Sequence, residues 1–413
     1  MLLQFSVENF LSIKDRITLS MVASKDEYLE DNITKLNNFS LLKMAAIYGA
    51  NASGKTNVLT AMSYITYLII NSHKNQSGET IEFRPFKLNK TSEESPSIFE
   101  IIFEIEGIKY VYYVSVNKNK VNKESLHYYP RGRKRLVFER DLAKPNIYTF
   151  PADDEKRQNI IKENTPENML YLSRSANMNY EKTSIVVKWF SKKIRTIFQD
   201  SYLLGLEGYT KKVCAEDESA KTRIIADFVS KADSSIVDLI IKEQELGDDF
   251  LEDIPKEIRD IIIEQERREA ETIHLGVDKE GNEIKILFKL QEESRGTRKM
   301  FSLAGPFMDV LYNGQLLIID EFERSLHPIL VRYLIKFFND PEYNKNGAQL
   351  IFATHVPYLL HPNILRRDQI WFAEKKKDQS TELRSLYEYR ARKDENIEKG
   401  YLAGRYGAIP DLD

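Results

Sequence analysis

The segment GANASGKT, Gly49–Thr56, stands between a short apolar run and a long helical pattern, and it limits the fold more than any other stretch of the chain. Its spacing is G-x-x-x-x-G-K-[ST]. The preceding LLKMAAIYG reads as a buried strand that stops at Gly49. After Thr56, TNVLTAMSYITYLIINS places Val58, Met62, Ile65, Leu68 and Ile69 near one helix face. Strand, glycine loop and helix together form an anion nest, because successive N–H groups converge at a positive helix end. Gly49 and Gly54 let the backbone wrap closely, with Asn51, Ala52 and Ser53 between them and Asn57 just beyond. Lys55 supplies a cation for β- and γ-phosphates, and Thr56 a hydroxyl for Mg²⁺. A chance glycine turn is the bland alternative, and the flanking strand and helix argue against it. The expected fold class is therefore α/β, and the expected cofactors are ATP and Mg²⁺.

Around this loop the chain divides by pattern. LLQFSVENF alternates, a turn follows at Leu11–Asp15, and RITLSMVA alternates again, which predicts a hairpin. Residues 97–141 are short β-branched and aromatic runs separated by turn residues, the pattern of a meander. From about 153 to 273 the text becomes charged and helical, as in SIVVKWFSKKIRTIF, KTRIIADFVSKA and IPKEIRDIIIEQERREAE. HLGVDKEGNEIKILFKL then predicts a hairpin turning at Lys279–Asn282. The division that follows is 1–150, 151–273 as an inserted and mainly helical lobe, and 274–413.

Three further motifs follow the lobe. QLLIIDEFERSLHP predicts a buried strand, Leu316–Ile319, that delivers Asp320 and Glu321 at its end. Asp320 suits a Mg²⁺ site, and Glu321 suits a general base that polarises water. EESRGTRK carries Ser294 and Gly296 just before a helix and 26 residues ahead of Asp320. A hydroxyl and a small residue at a helix start form a second anion site, or simply a cap. QLIFATHVPYLL delivers His355 at another strand end, where an imidazole can contact a γ-phosphate. His73, His127 and His274 show no metal-ligand spacing, and His327 lies just past the acidic pair. The glutamine lid expected after the loop helix is missing, and IEFRPFKL, with Arg84 and the Pro85–Phe86 turn, occupies its place.

Composition excludes several alternatives. The 413 residues carry a net charge of −3, so the chain is not a globally basic nucleic-acid coat. Its single cysteine, Cys214, rules out an internal disulfide framework and fits a reducing cytosol. No apolar run reaches the roughly 18 residues of a membrane span, so no membrane partner and a cytoplasmic location are expected.

Together these motifs resemble the SMC, RecF and OLD group of ABC-type ATPases. FSVENFLSIKD is similar to that group's opening strand and turn, IIDEFERSLHP to its D-E-x-E-x-x-L-H-P form, and THVPYLL to its T-H-x-P switch. The segment NIEKGYLAGRYGAIP, Asn396–Pro410, resembles prokaryotic AAA-type ATPases of anti-phage defence, a set that includes the ATPase subunit of the PARIS system. The resemblance covers about 1–90 and 275–410. It implies an ABC-type P-loop head acting as an ATPase, with Lys55, Glu321 and His355 as its catalytic set. It also implies a homodimer, and assemblies built from such dimers, in which ATP lies between the loop of one chain and Ser294–Gly296 of its partner.

The use of the ATP divides into two readings. One is a defence sensor and scaffold that controls a separate effector, a nuclease or toxin, and answers to a phage protein or DNA. Only 58 residues follow His355, too few for the TOPRIM nuclease domain that OLD proteins append. The acidic run DDFLEDIPKEIRD reads as a solvated helix face rather than a metal cluster. The other reading is a DNA-binding ATPase of repair or maintenance, contacting phosphates through PRGRKR (130–135) or KWFSKKIR (188–195), where Trp189 and Phe190 stand among the charges.

Overall fold

The computed structural model describes all residues except 37, 153, 199–202, 217–219, 244–266, 390–394 and 410–413. The chain forms two compact units: Met1–Ile197 with Asn313–Phe322 and Lys336–Asp413, and Phe198–Tyr312 with Glu323–Ile335.

The first unit is built on a six-stranded sheet in the order β11-β15-β16-β5-β17-β18. Its strands are β5 (Met44–Tyr48), β11 (Ile194–Ile197), β15 (Leu316–Asp320), β16 (Gln349–Thr354), β17 (Ile370–Lys375) and β18 (Thr381–Ser385). All neighbours pair parallel except β18, which is antiparallel at the edge. MAAIY of β5 and QLIFAT of β16 are buried throughout, as expected for parallel strands covered on both faces. Helix α1 (Lys55–Asn71) packs on β15 and β16 and buries Val58, Met62, Ile65, Leu68 and Ile69, the stripe that periodicity predicts.

The unit also holds a seven-stranded antiparallel sheet, in the order β10-β9-β8-β7-β6-β1-β2. It contains the opening hairpin β1 (Leu2–Glu8) and β2 (Ile17–Ser20). It also contains the meander β6 (Ser97–Ile105), β7 (Ile108–Val116), β8 (Val121–Tyr129) and β9 (Arg135–Asp141), closed by β10 (Tyr148–Thr149). A short pair, β3 (Ile33–Lys35) and β4 (Ser40–Leu42), lies apart from both sheets. The unit's other helices are α2 (Lys90–Glu94), α3 (Glu155–Glu163), α4 (Tyr171–Asn177) and α5 (Glu181–Lys193). Trp189 and Phe190 of α5 are buried against Phe103 of β6, with ring centroids 4.4 and 5.3 Å away.

KWFSKKIRTIF is therefore not one helix. It leaves the helical state after Lys193, and Ile194–Ile197 pair in parallel with Leu316–Ile319. The local pattern of charges and apolar residues suits a helix, but an open sheet edge captures this β-branched end.

The second unit holds α6 (Leu203–Glu216) and α7 (Ala220–Ser230), most of α8 (Arg295–Asn313) and the start of α9 (Pro328–Asn339). A Cβ on Gly305 of α8 would overlap Thr210 of α6, whose hydroxyl accepts a bond from Gly305 N at 3.1 Å, so glycine sets a close helix approach here. The unit also contains an antiparallel sheet, β12 (Ile236–Glu243), β13 (Arg268–Val277) and β14 (Glu283–Lys289), with the predicted turn between the last two closed by Asp278 and Asn282. RREAE, read as the end of a helix, begins β13 instead. Glu269 pairs with Lys289 at 2.8 Å and Glu271 with Lys242, so neighbouring strands neutralise the charges that made the stretch look helical. The first part of the expected helix IPKEIRDIIIEQERREAE, through Glu266, and the acidic run DDFLEDIPKEIRD lie outside the described residues. Helix α10 (Ile397–Leu402) belongs to the first unit. Among the described residues no helix is long and apolar enough to cross a membrane.

Candidate nucleotide site

Three adjacent parallel strands present the site. β15, β16 and β5 lie side by side, and their C-terminal ends lead into Asp320–Glu321, His355 and the loop Gly49–Thr56. Residues far apart in the chain thus converge where the C-terminal ends of three interior strands lie side by side.

The loop's backbone explains its glycine. Gly54 has φ +103°, a left-handed conformation in which a Cβ would overlap Thr381 Oγ1. Ala52 also takes φ +61°, and Asn51 and Ala52 face solvent. Lys55 is buried, and its Nζ donates to the carbonyls of Gly49 and Ala50 at 2.9 and 3.1 Å, which holds the ammonium across the loop. Ser53 Oγ is buried without a protein partner.

Thr56 Oγ1 donates to Asp320 Oδ2 at 2.8 Å. The other carboxylate oxygen, Asp320 Oδ1, is buried and has no protein partner. A hydroxyl and a carboxylate whose second oxygen keeps spare acceptor capacity form a hard-oxygen donor set, so these residues fit Mg²⁺. Burial raises the Asp320 carboxyl above its usual range, against the Thr56 hydrogen bond, and the neighbouring Glu321 raises it further.

Glu321 has φ +44°, and its N–H bonds to Ala353 O of β16 at 3.2 Å, which turns its side chain out of the strand direction. Its Oε1 lies 3.2 Å from His355 Nε2. Burial holds the His355 pKa below the usual imidazole value, and the charge on Lys55 lowers it further, against Glu321. A ring with its hydrogen on Nε2 donates to the Glu321 carboxylate across this distance. A carboxylate with an N–H donor at its side is an arrangement that can hold and deprotonate water.

A second layer supports the loop, and sequence patterns do not reveal it. Thr381 Oγ1 of β18 donates to Ser53 O at 2.8 Å and lies 2.7 Å from Ser12 Oγ. Asn57 Nδ2 donates to the same Ser12 Oγ at 2.7 Å. Thr381 stands in no motif, and Ser12 lies in the opening FSVENFLSIKD, which gives it no role of its own; only their pairing across the fold marks them. The Ile81–Leu88 segment is tied to the same turn: Leu11 N donates to Arg84 O at 2.7 Å and Phe86 N to Asn9 Oδ1 at 3.0 Å. The Arg84 guanidinium is paired with Glu82.

Ser294 and Gly296 lie in the second unit. Ser294 Oγ accepts from Thr297 N at 3.1 Å and so caps the start of α8. The side chain of Ser294 is exposed, and a Cβ on Gly296 would come 3.3 Å from Ser325 O. The first unit therefore brings Gly49–Asn57, Asp320, Glu321 and His355 together, and the second carries Ser294 and Gly296. His327 is exposed and its Nδ1 accepts from Ile329 N at 3.3 Å, as a local turn contact.

The protein family described as "AAA domain, putative AbiEii toxin, Type IV TA system" matches residues 44–188 and 225–361, more than half of the chain. The chain belongs to this family. Its fold is that of an ABC-type P-loop NTPase head, and the family is one of ATPases. No curated protein matches the sequence. Among solved structures, an SMC head bound to the C-winged helix domain of ScpA is 12% identical with a TM-score of 0.43, covering 94% of this chain and 99% of its own. The SMC head domain from Thermotoga maritima is 12% identical with a TM-score of 0.40, covering 93% and 98%.

The family's match takes in the loop, the acidic pair and His355. The segment Asn396–Ala408 falls outside it and packs beneath the loop's own strand. Tyr401 and Tyr406 stack on Phe372 of β17 at 5.7 and 5.3 Å, and Tyr401 also meets Tyr48, the last residue of β5, at 5.7 Å.

Proposed function

We propose that this chain binds ATP with Mg²⁺ and hydrolyses it, and that the cycle drives a sensor and scaffold of anti-phage defence which controls a separate nuclease or toxin. The observation that carries the ATPase reading is the convergence of Lys55, the Thr56–Asp320 pair and the Glu321–His355 pair at the ends of three adjacent strands. In this reading the N–H groups of Gly49–Thr56 hold the phosphates and Lys55 balances their charge. Thr56 and Asp320 hold Mg²⁺, which when bound neutralises charge on the phosphate oxygens. Glu321 takes a proton from the attacking water, and His355 orients that carboxylate and faces the γ-phosphate. Ser294 and Gly296 are proposed to cover the nucleotide of a second copy, which makes the active form a homodimer.

The test is Mg²⁺-dependent phosphate release by the parent, Lys55→Ala and Glu321→Gln. Lys55→Ala loses nucleotide binding. Glu321→Gln keeps it and slows turnover by about 10²-fold or more, the scale of general-base catalysis. Hydrolysis at the parent rate by Glu321→Gln would remove the assigned base.

The defence reading is supported by the family's own description, which names a toxin and a toxin–antitoxin system. Capture of the tagged chain from its native host, with and without infection, tests it, and the expected result is a bound effector released on infection by a phage protein or DNA. The alternative, a DNA-binding ATPase of repair or maintenance, rests on Arg131, Arg133, Lys134 and Arg135, which are all exposed. Trp189 and Phe190 do not favour it, since both are buried on Phe103. Salt-sensitive DNA binding that is lost on reversing Arg133, Lys134 and Arg135 would select this alternative.

A further inference from the structure

Among the described residues β14 is the edge strand of the second unit's sheet and bonds to β13 on one side only. Every residue of this strand, EIKILFK, is exposed, including Ile284 (39%), Ile286 (38%), Leu287 (48%) and Phe288 (37%). An edge strand offers a row of unpaired N–H and C=O groups, and proteins usually blunt such edges with proline, a bulge or charged side chains, lysine above all. β14 has no proline and pairs with β13 in unbroken register from Glu283 to Lys289; its guards are Lys285 and Lys289, and pairing with a strand that answers Lys289 with a carboxylate overcomes the second of them. Leu275 and Val277 of β13 extend the exposed apolar surface beside Leu287.

We propose that this edge is a contact between two copies of the chain, in which β14 pairs antiparallel with β14 of the second copy about a twofold axis through Ile286. The strand is complementary to itself in the one register that pairs all seven of its residues. Glu283 then faces Lys289 twice, Ile284 faces Phe288 twice, Lys285 faces Leu287, and Ile286 faces Ile286. Opposite charges and β-branched–aromatic pairs directly across an antiparallel ladder are favourable, and like charges there are not. Moving the axis to Lys285 sets lysine against lysine, and moving it to Leu287 sets Lys285 against Lys289. A one-residue slip puts the Ile284–Ile286–Phe288 face opposite the charged one. Parallel pairing aligns each lysine with its own copy. Glu283 has no ion-pair partner within the chain among the described residues, and Lys289, already 2.8 Å from Glu269, has further N–H donors to share.

This contact needs no nucleotide, so it is distinct from the composite-site dimer proposed above and can fail or hold independently of it. Sedimentation of the nucleotide-free protein at micromolar concentration is expected to show a dimer, in the parent and in Lys55→Ala alike. Ile286→Lys sets two ammonium groups at the axis and is expected to yield monomer with an unchanged circular dichroism spectrum. Register is read by oxidative cross-linking in a Cys214→Ser background. Directly opposed residues stand about 4.5–5.5 Å apart at Cα, within disulfide reach. Ile286→Cys should cross-link with itself. Ile284→Cys and Phe288→Cys should not do so alone, and should when the two proteins are mixed. A monomeric parent overturns the proposal whatever else covers the edge, and so does self-linking by Ile284→Cys as fast as by Ile286→Cys.

Discussion

Gly54 shows how much one residue carries. Its left-handed φ of 103° and the closeness of Thr381 and Ser12 leave no room for a side chain. Gly54→Ala is therefore expected to displace the loop and abolish ATP binding, as read by titration with a fluorescent analogue. Thr381→Val removes the hydroxyl that donates to Ser53 O while keeping the shape. It also loses the bond with Ser12 Oγ, and two hydrogen bonds of about 1 kcal/mol each correspond to roughly 30-fold weaker ATP binding, with the loop residues themselves intact. His355 makes a pH prediction. Burial and Lys55 hold its pKa below the ordinary value of 6.5, so the folded protein favours the neutral ring. The stability linked to this group is full above about pH 6.5 and is lost as pH falls through the folded-state value. His355→Gln should reduce the drop in melting temperature between pH 7.5 and pH 5.5 relative to the parent, and an unchanged drop would refute the linkage.

Among the elements, the join between the antiparallel sheet and α4 is the most exposed to a single change. Glu124 of β8 is fully buried and accepts from Tyr112 OH at 2.9 Å, Tyr171 N at 2.7 Å and Leu172 N at 2.9 Å. A carboxylate at a helix N-terminus satisfies two backbone donors and meets the positive helix end. Burial raises its pKa, while those donors and Arg140 oppose the rise. Glu124→Ala strands all three donors in the core and is expected to cost about 3 kcal/mol, as measured by urea unfolding. Such a join is hidden in the sequence, since Glu124 stands in a meander strand where alternation alone assigns it no partner.

For the whole molecule, the testable statement is that one active site draws on two copies. Lys55→Ala removes the loop's cation, and Ser294→Arg fills the exposed cap of α8 with a long charged side chain. Each protein alone is expected to be inactive. Mixed together, they form dimers in which the intact loop of one meets the intact Ser294–Gly296 of the other, so mixing should restore phosphate release. No recovery on mixing would mean that each chain hydrolyses ATP by itself, or not at all. Sequence alone carried the chain a long way at this scale. The loop Gly49–Thr56 was legible because its nest is made by contiguous backbone, and the helix after it because an apolar stripe at helical spacing needs no distant partner. Asp320 and His355 were legible as polar residues ending buried apolar strands. That they converge was decided only by strand order, with β16 between β15 and β5. The same holds for the strand ends that local charge disguised, Ile194–Ile197 and Arg268–Glu271, and for Ser12 and Thr381 behind the loop. Local pattern is a property of neighbours in the chain. Sheet edges, cross-strand charge pairs and hydrogen bonds between residues hundreds of positions apart exist only once the chain has folded, and they chose these residues' roles.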